Sequence, residues 1–430
     1  MNFFGTDGKR GTYGSTVTDS TAFLLGKSLA LLGEDCPIVL IARDTRPSGE
    51  KLFCALAQGV YAGGGNVINL GVLPTGAVGH FVRKMGGDFG VMITASHNPP
   101  QDNGLKVFDK YGVKLCPAKQ QTVSRLMSSI IADNPCGKVF EPVFYDIENI
   151  YCDDVSAGAE LSGLRIALDC CYGVACKVAP MLFERAGAKV TAFCTAKNGK
   201  INVGCGANNP EFLLKKMQKG GFRLGFAVDG DADRLAVFED KYRVSDNKVF
   251  YAIAKYMSSR GLLRKNAVCG TTLTNGGVEK ALADIGVRLL RSEVGDVNVF
   301  GVMAHNNLNF GGEPSGHYIL SDLETGSDAL VNALFLCKIF LEEGSLLAYT
   351  QECRDVPFVT RDVPLEEGRL ATPSGISGVS QRVTGLFPQC RVVIRKSGTE
   401  NKVRVYAEGE NAQSAAECAA AAFCSVSLPQ

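Results

Sequence analysis

The sequence predicts a layered α/β fold with largely parallel sheets. Short apolar segments typical of buried strands alternate with longer segments of helical periodicity along most of the chain. Several apolar segments end in polar or glycine-rich loops, where open α/β sheets place their ligands. The 430 residues exceed the ~100–200 residues of one domain, so we expect several. We predict four domains, covering residues 1–155, 156–245, 246–350 and 351–430.

The first predicted domain alternates helix and strand several times. Its first helix has Ser20 or Thr21 as a cap and Gly33 as a stop. The predicted helices are Thr21–Leu32, Glu50–Tyr61, Thr75–Lys84 and Thr122–Ile131, and the predicted strands are Ile38–Ile41, Asn66–Leu70 and Phe89–Ile93.

The same alternation continues to the carboxyl terminus. The predicted strands are Leu164–Asp169, Leu224–Val228, Ala267–Thr272, Val287–Leu290, Arg391–Ile394 and Lys402–Ala407. The predicted helices are Val178–Ala186, Asp246–Ser259, Gly277–Ile285, Ala329–Glu342 and Ala412–Ala422.

Composition excludes several classes of function. The formal net charge of +1 gives no basic excess for nucleic acid or for an anionic membrane. The amino terminus lacks the pattern of a signal peptide, and no apolar run approaches the ~20 residues of a membrane span. The 16 cysteines contain no Cys-x-x-Cys pair and there are only four histidines. We therefore expect reduced thiols in a cytoplasmic protein, with no zinc site.

The loop after the strand Phe89–Ile93 carries a candidate nucleophile. Ser96 and His97 lie there, and Pro99 and Pro100 prevent a following helix or central strand. We read the next residues, from 101 on, as a polar turn that returns Lys106 to the same loop. A hydroxyl, an imidazole and an ammonium could support covalent group transfer. An ordinary surface turn is the alternative.

A second loop carries three carboxylates at alternate positions. Asp229, Asp231 and Asp233 follow the predicted strand Leu224–Val228. Carboxylates so close together repel one another and need a cation, and hard oxygen ligands suit magnesium. A calcium loop of the EF-hand type fits poorly, because Arg234 occupies the position of its glycine. The alternative is an acidic surface turn.

Three further loops offer groups that could bind a sugar phosphate. Arg10, in a glycine-rich amino-terminal segment, could grip a phosphate. A glycine-rich loop could present polar groups to a polyol, and a loop near the carboxyl terminus could form a phosphate nest. The residues of the polyol loop are Glu313, Ser315 and His317, and those of the nest are Arg395, Ser397, Gly398, Thr399 and Arg404. Structural turns are the alternative at each place.

Four of these segments resemble the signature loops of the α-D-phosphohexomutases, in the order and spacing of that family. They are residues 94–99 (TASHNP), 229–234 (DGDADR), 312–317 (GEPSGH) and 395–400 (RKSGTE). Ala232 stands where the family usually has glycine, and Asn401 replaces a common proline. The resemblance implies a heart-shaped molecule of four domains, three related α/β units and a smaller α+β domain, around one cleft.

The resemblance also implies a mechanism and a role for each residue. Ser96 would carry a phosphoryl group, and one Mg²⁺ per subunit would bind it together with Asp229, Asp231 and Asp233. His97 and Lys106 would move protons, and Arg10 and Arg234 would neutralise charge. Glu313, Ser315 and His317 would read the sugar, and Arg395, Ser397, Gly398, Thr399 and Arg404 would hold the distal phosphate. A sugar 1,6-bisphosphate would be both intermediate and activator.

Within the family, the chain is most similar to the subfamily that acts on glucosamine phosphates and supplies UDP-N-acetylglucosamine synthesis. The sister subfamily, acting on mannose and glucose phosphates, is the alternative. Two other classes stay open: a phosphatase with Asp229 as nucleophile, and a non-catalytic binder of sugar phosphates. The expected partners are small sugar phosphates, not nucleic acid or membrane, and a homodimer is left open.

Overall fold

The fold is described from a computed structural model. It describes residues 3–5, 7–130, 146–196, 198–324, 326–365, 372–396 and 401–425, without the side chains of residues 424 and 425. The central loop of the predicted phosphate nest, Ser397 to Thr399, lies outside the described residues. The fourteen cysteines in the described part carry free thiols. No helix there is both long and apolar enough to cross a membrane.

Sheet I has five strands in the order β1-β5-β4-β2-β3. Strands β2, β3 and β4 are parallel, whereas β5 runs antiparallel to β4 and β1 antiparallel to β5. Its strands are β1 Lys9–Thr12, β2 Ile38–Arg43, β3 Asn66–Val72, β4 Phe89–Ile93 and β5 Asp102–Asp109, and its helices are α1 Asp19–Leu32, α2 Gly49–Ala62, α3 Thr75–Met85 and α4 Pro117–Ser129.

Strand β5 corrects the sequence-based prediction of a polar turn before Lys106. The segment Asp102-Asn103-Gly104 has turn-forming residues, but it pairs with β1, and the residues that follow it in β5 pair with β4. This pairing satisfies the backbone and overrides the local preference. Lys106 lies opposite Met92 of β4, so its side chain is placed by a central strand of the sheet.

Sheet II repeats this pattern, in the order β10-β9-β8-β6-β7. Strands β6, β7 and β8 are parallel, whereas β9 runs antiparallel to β8 and β10 antiparallel to β9 at one edge of the sheet. The strands are β6 Arg165–Asp169, β7 Lys189–Phe193, β8 Leu224–Val228, β9 Leu235–Glu239 and β10 Tyr242–Val244, and the helices are α5 Ile147–Ser156, α6 Ala175–Arg185 and α7 Glu211–Gly220.

Sheet III has the same core order with four strands, β12-β11-β13-β14. The hairpin of β13 and β14 takes the place of β4 and β5, so three sheets share one topology. The strands are β11 Ala267–Thr271, β12 Arg288–Ser292, β13 Phe310–Glu313 and β14 His317–Leu320, and the helices are α8 Asp246–Ser259, α9 Gly276–Asp284, α10 Asp296–Asn306, α11 Ala329–Glu343 and α12 Leu346–Tyr349.

Sheet IV is different, with three antiparallel strands in the order β15-β17-β16. Its elements are β15 Phe358–Pro364, α13 Pro373–Leu386, β16 Arg391–Lys396, β17 Lys402–Glu408 and α14 Ala412–Ser425. This is the smaller α+β unit that the resemblance implies.

The hydrophobic core is shared by the first three sheets. One continuous cluster includes Phe81 of α3, Phe183 of α6 and Leu336 of α11, all fully buried. Sheet IV packs its helices over a separate core around Val405 and Ala416. The first three units are therefore held together by apolar packing, and the fourth depends on other contacts.

Candidate active site

Ser96 lies immediately beyond β4, fully buried, with its side chain directed at sheet II. Its Oγ donates a hydrogen bond to Asp229 Oδ2 at 2.6 Å, and His97 Nδ1 lies 3.3 Å from the same oxygen. The backbone of Ser96 has φ of +50°. A left-handed conformation costs a non-glycine residue about 1–2 kcal/mol, and such strain concentrates at functional sites.

The conformation of the Ser96 loop is maintained by Arg46, to which the sequence analysis assigns no role. Arg46 is buried and pairs with Asp44 Oδ2 at 2.9 Å. Its guanidinium also donates to four backbone carbonyl oxygens of the loop, those of Ser96, Asn98, Pro99 and Asp102. A single side chain thus fixes most of the loop backbone.

A second clamp reaches the loop from sheet II. Asn202 Nδ2 donates to the carbonyl oxygens of Ser96 at 2.7 Å and of Asn98 at 3.0 Å. Gly230 permits this approach, because a Cβ there would lie 2.8 Å from the Ser96 oxygen. Asn202 was also missed from sequence. The only signal is its place in a turn-rich stretch before the acidic loop.

The three aspartates converge in the turn after β8. All are buried, and one oxygen from each lies within 4.8 Å of the others. Burial and the charges of Asp233 and Asp231 raise the pKa of Asp229 to about 8. Among the described residues, Asp231 Oδ1 and Asp233 Oδ1 have no hydrogen-bond partner. Buried oxygens of this kind fit a hard divalent cation.

The turn that brings the carboxylates together uses Ala232 in the left-handed region, with φ of +53°. Glycine adopts this conformation without steric cost, whereas alanine does so under strain. The substitution noted in the sequence therefore falls on a position where glycine would be favoured. The carboxylates converge nonetheless.

Lys106 lies between two of the three carboxylates. Its Nζ donates to Asp231 and Asp233 at 2.7 Å each and lies 3.3 Å from Asp7. Burial alone would lower the pKa of Lys106, but the charges of Asp231 and Asp233 outweigh burial and raise it. Lys106 is therefore an ammonium in this arrangement.

Further charges link the acidic loop to sheets I and III. Asp7 pairs with Arg10 and Lys114, and Lys114 also pairs with Asp296 at the start of α10. His317 bridges Asp296 and Asp233, at 3.5 and 3.9 Å. Asp7, Lys114 and Asp296 were missed from sequence, because isolated charges on separate elements form no local pattern.

His97 is neutral at ordinary pH. Burial and the positive charges of Arg234 and Arg10 lower its pKa to about 4. Within the described residues, Nε of Arg10 and of Arg234 have no hydrogen-bond partner. Two partly exposed guanidinium groups with buried, unused Nε donors beside His97 are suited to an anionic group.

The predicted polyol loop is the β13–β14 hairpin. Glu313 lies opposite His317, and its Oε1 accepts from the Gly295 amide at 2.9 Å. Ser315 is exposed at the turn. Gly316, with φ of +79°, lies against Leu235 of sheet II, whose amide donates to its carbonyl at 3.0 Å. The hairpin is thus fixed beside the acidic loop.

Arg395 and Arg404 are cross-strand neighbours at the end of sheet IV. Burial and the charge of Arg404 lower the pKa of Arg395, whereas Glu313 acts in the opposite direction. Arg395 is therefore linked electrostatically to the β13–β14 hairpin. Ser397, Gly398 and Thr399 lie outside the described residues, and their roles stay predictions.

These groups come from all four sheets. They comprise a buried hydroxyl, a carboxylate cage, several cations and a polar hairpin. Such a set can move a phosphoryl group between a serine and a bound ligand while its charge is neutralised. The phosphatase alternative uses Asp229, which here accepts the Ser96 hydrogen bond.

The chain matches all four parts of one family. Phosphoglucomutase/phosphomannomutase alpha/beta/alpha domains I, II and III match residues 1–133, 147–242 and 245–354, and the C-terminal domain matches residues 364–423. The phosphoglucosamine mutase of Thermotoga neapolitana is 37% identical over 419 residues, 96% of each chain. That of Carboxydothermus hydrogenoformans is 35% identical over 426 residues, 95% of this chain and 96% of the relative.

Solved structures share the fold. A phosphoglucomutase/phosphomannomutase family protein from Burkholderia thailandensis gives a TM-score of 0.82 at 22% identity, with 100% of this chain and 99% of that chain covered. The N-acetylphosphoglucosamine mutase of Aspergillus fumigatus, solved with GlcNAc-6P and magnesium, gives 0.61 at 17% identity, with 91% and 83% covered.

Proposed function

The chain belongs to the phosphoglucomutase/phosphomannomutase family, and from that premise we propose that it interconverts glucosamine 6-phosphate and glucosamine 1-phosphate. The enzyme class is an intramolecular phosphotransferase. The observation that carries the proposal is the 2.6 Å hydrogen bond from the Ser96 hydroxyl to Asp229 in the acidic cage. The substrate assignment rests on curated relatives with the name phosphoglucosamine mutase over nearly the whole chain.

We propose that Ser96 is phosphorylated in the active enzyme. Asp229, Asp231 and Asp233 would hold a magnesium ion together with that phosphoserine, which fits the unpartnered oxygens of Asp231 and Asp233. The ion would supply charge neutralisation at the phosphoryl group. Arg10 and Arg234 would add donors to the phosphoryl oxygens, through the Nε atoms that have no hydrogen-bond partner in the described part.

Proton movement would fall to His97 and Lys106. Neutral His97 can accept the Ser96 proton through Nδ1 when the serine is phosphorylated again. As an ammonium, Lys106 can give a proton to the sugar oxygen that loses its phosphoryl group, and as a neutral amine it can take one from the sugar hydroxyl that attacks. Asp231 and Asp233 raise the pKa of Lys106, so either transfer requires that it first release these carboxylates.

The sugar would lie between the hairpin and sheet IV. Glu313 and Ser315 would read its hydroxyl and amino groups, with His317 near the acidic loop. Arg395, Ser397, Gly398, Thr399 and Arg404 would hold the phosphate that does not react. Ser96 would give its phosphoryl group to the sugar, and the resulting 1,6-bisphosphate would turn round before returning the other phosphoryl to Ser96. Closure of sheet IV over the cleft would exclude water and prevent hydrolysis.

The decisive experiment measures conversion of glucosamine 6-phosphate to the 1-phosphate, with magnesium and a trace of sugar 1,6-bisphosphate. Glucose and mannose 6-phosphates serve as competitors, and Ser96→Ala as the control. We expect preferred turnover of the glucosamine sugar and a loss of at least about 1,000-fold in the variant, because the covalent route is removed.

The other readings give different results. Faster, serine-dependent turnover of glucose or mannose phosphate would keep the mechanism and assign the sister subfamily. Activity that survives in Ser96→Ala but not in Asp229→Asn would indicate a phosphatase. Binding without turnover, and no phosphate on Ser96 by mass spectrometry, would indicate a binder. We propose that the enzyme acts in the cytoplasm, and size-exclusion chromatography with light scattering would test for a homodimer.

A further inference from the structure

Behind the Ser96 loop, sheet II carries a cluster of thiols that the proposed reaction does not use. The cluster consists of Asp169, Cys171, Cys194 and Cys205. Asp169 ends β6, Cys194 follows β7, and Cys205 lies in the loop before α7. The carboxyl ends of neighbouring parallel strands meet at one edge of the sheet, so residues far apart in sequence come together there. Their spacing in sequence therefore gave no metal-binding pattern.

The geometry of three members is that of a metal site. A carboxylate oxygen of Asp169 and the sulfur atoms of Cys194 and Cys205 all lie within 4.8 Å of one another. Zinc–sulfur bonds of about 2.3 Å separate two tetrahedral sulfur ligands by roughly 3.8 Å, so only a small contraction is needed.

The carboxylate is oriented by the backbone. Asp169 accepts from the amide of Cys171 at 3.1 Å and from the amide of Gly206 at 2.6 Å. Hydrogen bonds of this kind orient a ligand without removing its remaining lone pairs. Asp169 and Cys205 are buried, whereas Cys194 is partly exposed and leaves a path for an ion.

The backbone around the cluster is strained. Cys171, Tyr172, Cys194 and Asn202 all have φ between +53° and +66°. Asparagine adopts this conformation readily, but each of the other three residues costs about 1–2 kcal/mol, and strain of this kind persists only where the surroundings impose it.

We propose that Asp169, Cys194 and Cys205 bind a zinc ion, with water in the fourth position. Soft thiolate ligands select zinc over magnesium, so this site would be distinct from the acidic cage. Binding would release one proton from each of the two thiols to solvent. Cys171 is not one of the three residues whose ligand atoms lie together, and its Sγ donates to Asn202 Oδ1 at 3.1 Å.

The site would act on the active centre through Asn202. The Asn202 amide donates to the Cys171 carbonyl at 3.1 Å, and its side chain clamps the carbonyls of Ser96 and Asn98. A zinc ion would join the ends of β6 and β7 to the loop that carries Cys205 and Asn202. It would thus stabilise the surface on which the Ser96 loop rests.

The test loads the whole protein with zinc in excess magnesium, desalts it and counts the bound metal. We expect one zinc per chain, retained in Cys171→Ser and lost in Cys194→Ala and in Cys205→Ala. Cys269→Ala, which removes a buried thiol from sheet III, is the control for non-specific thiol loss and should keep the zinc. Substitution of cobalt should give a thiolate charge-transfer band in the near ultraviolet, which the acidic cage cannot produce.

Several outcomes would overturn the proposal. They are wild-type protein without bound zinc, zinc that persists in both ligand variants, loss of zinc in Cys171→Ser, and a Cys194–Cys205 disulfide in protein purified without reductant. If a ligand variant does not fold, an alkylation experiment on the wild-type protein tests the site. Zinc should protect Cys194 and Cys205 from alkylation, read by peptide mass spectrometry, and equal labelling with and without zinc would contradict the site. None of these readouts depends on sugar turnover.

Discussion

Arg46 contacts the Ser96 loop through backbone carbonyls, so its replacement should displace the Ser96 hydroxyl without removing a contact to that hydroxyl. Arg46→Lys keeps the charge beside Asp44 but loses the planar fork that bonds four carbonyls of the Ser96 loop. A displacement of about 1 Å can cost ~100-fold in rate, so kcat should fall by about that factor with a smaller change in KM. Steady-state kinetics on purified protein measures both.

Arg43→Lys is the matched control for this prediction. Arg43 is the last residue of β2, the strand that leads into the loop of Arg46. Its guanidinium pairs with Glu50, which is largely exposed. Its replacement should change stability by less than about 0.5 kcal/mol and leave kcat unchanged. A kcat for Arg46→Lys within twofold of the wild-type value would show that the loop keeps its conformation without the fork.

Sequence motifs predicted the residues that carry the proposed chemistry, but not the residues that hold them in position. Ser96 and the three aspartates could be predicted because each set is contiguous after an apolar strand. Arg46 and Asn202 could not, because they act on backbone carbonyls of another segment and have no local signature. Lys114 and Asp296 are partners only because the first residue of α10, a helix of sheet III, meets the segment that follows β5.

Helix α3 is braced against α5 and against the segment before α11 by one histidine. His80 Nε2 contacts Asp154 at 2.8 Å and His80 Nδ1 contacts Glu324 at 2.9 Å, and the pair Arg83–Glu324 lies beside them. Burial would lower the pKa of His80, but the hydrogen bonds and charges of Glu324 and Asp154 outweigh it and raise the pKa.

His80→Gln should therefore destabilise the protein in a pH-dependent way. The folded pKa is above the unfolded value of ~6.5, so the contribution of the imidazolium is complete below about pH 6.5 and is lost as pH rises through the folded pKa. We expect a loss of about 1–2 kcal/mol near pH 6 and a smaller loss near pH 9, from chemical denaturation.

His305→Gln, at an exposed position on α10, is the control and should cost less than about 0.5 kcal/mol. An equal loss of unfolding free energy for His80→Gln at both pH values would mean that the neutral imidazole stabilises the fold as much as the imidazolium does.

Elements with strong periodicity were predicted closely. The strand Phe89–Ile93 was predicted with its observed bounds, and the predicted helix Ala329–Glu342 ends one residue early. The first half of strand β5 was wrongly predicted as a turn, because its first residues favour turns and only pairing with β1 makes them extended. Short edge strands such as β1 and β10 carry too few residues to show a period.

The molecule as a whole consists of three units on one core and a fourth that is attached through polar contacts. Arg391 of β16 donates to the carbonyls of Thr272 and Thr274 and pairs with Glu408. Glu408 in turn accepts from the Gly276 amide at 3.2 Å. The matches to all four domains of one family confirm the architecture that the resemblance implied. The exact domain boundaries stay predictions.

Arg391→Met should loosen the fourth unit, because it leaves the Glu408 carboxylate without its cation. We expect faster limited proteolysis between residues 351 and 358 and a higher KM for the sugar phosphate, with melting of the first three units unchanged. Arg361→Met on β15, whose partner Glu417 is exposed, is the control. Identical cleavage rates for the two variants would show that Arg391 does not secure the unit.

Lys106 makes the junction of sheets I and II independent of the ion that the acidic cage is proposed to hold. Its ammonium is a built-in counter-ion, contributed by one sheet to the carboxylates of another. Dialysis into magnesium-free buffer should therefore abolish turnover and lower the melting temperature only by as much as the bound ion contributes by mass action. In Lys106→Met, removal of magnesium should lower the melting temperature further, because the carboxylates then need an external cation. The enzyme could thus fold before it is loaded, and entry of the proposed metal would be a step of activation rather than of assembly.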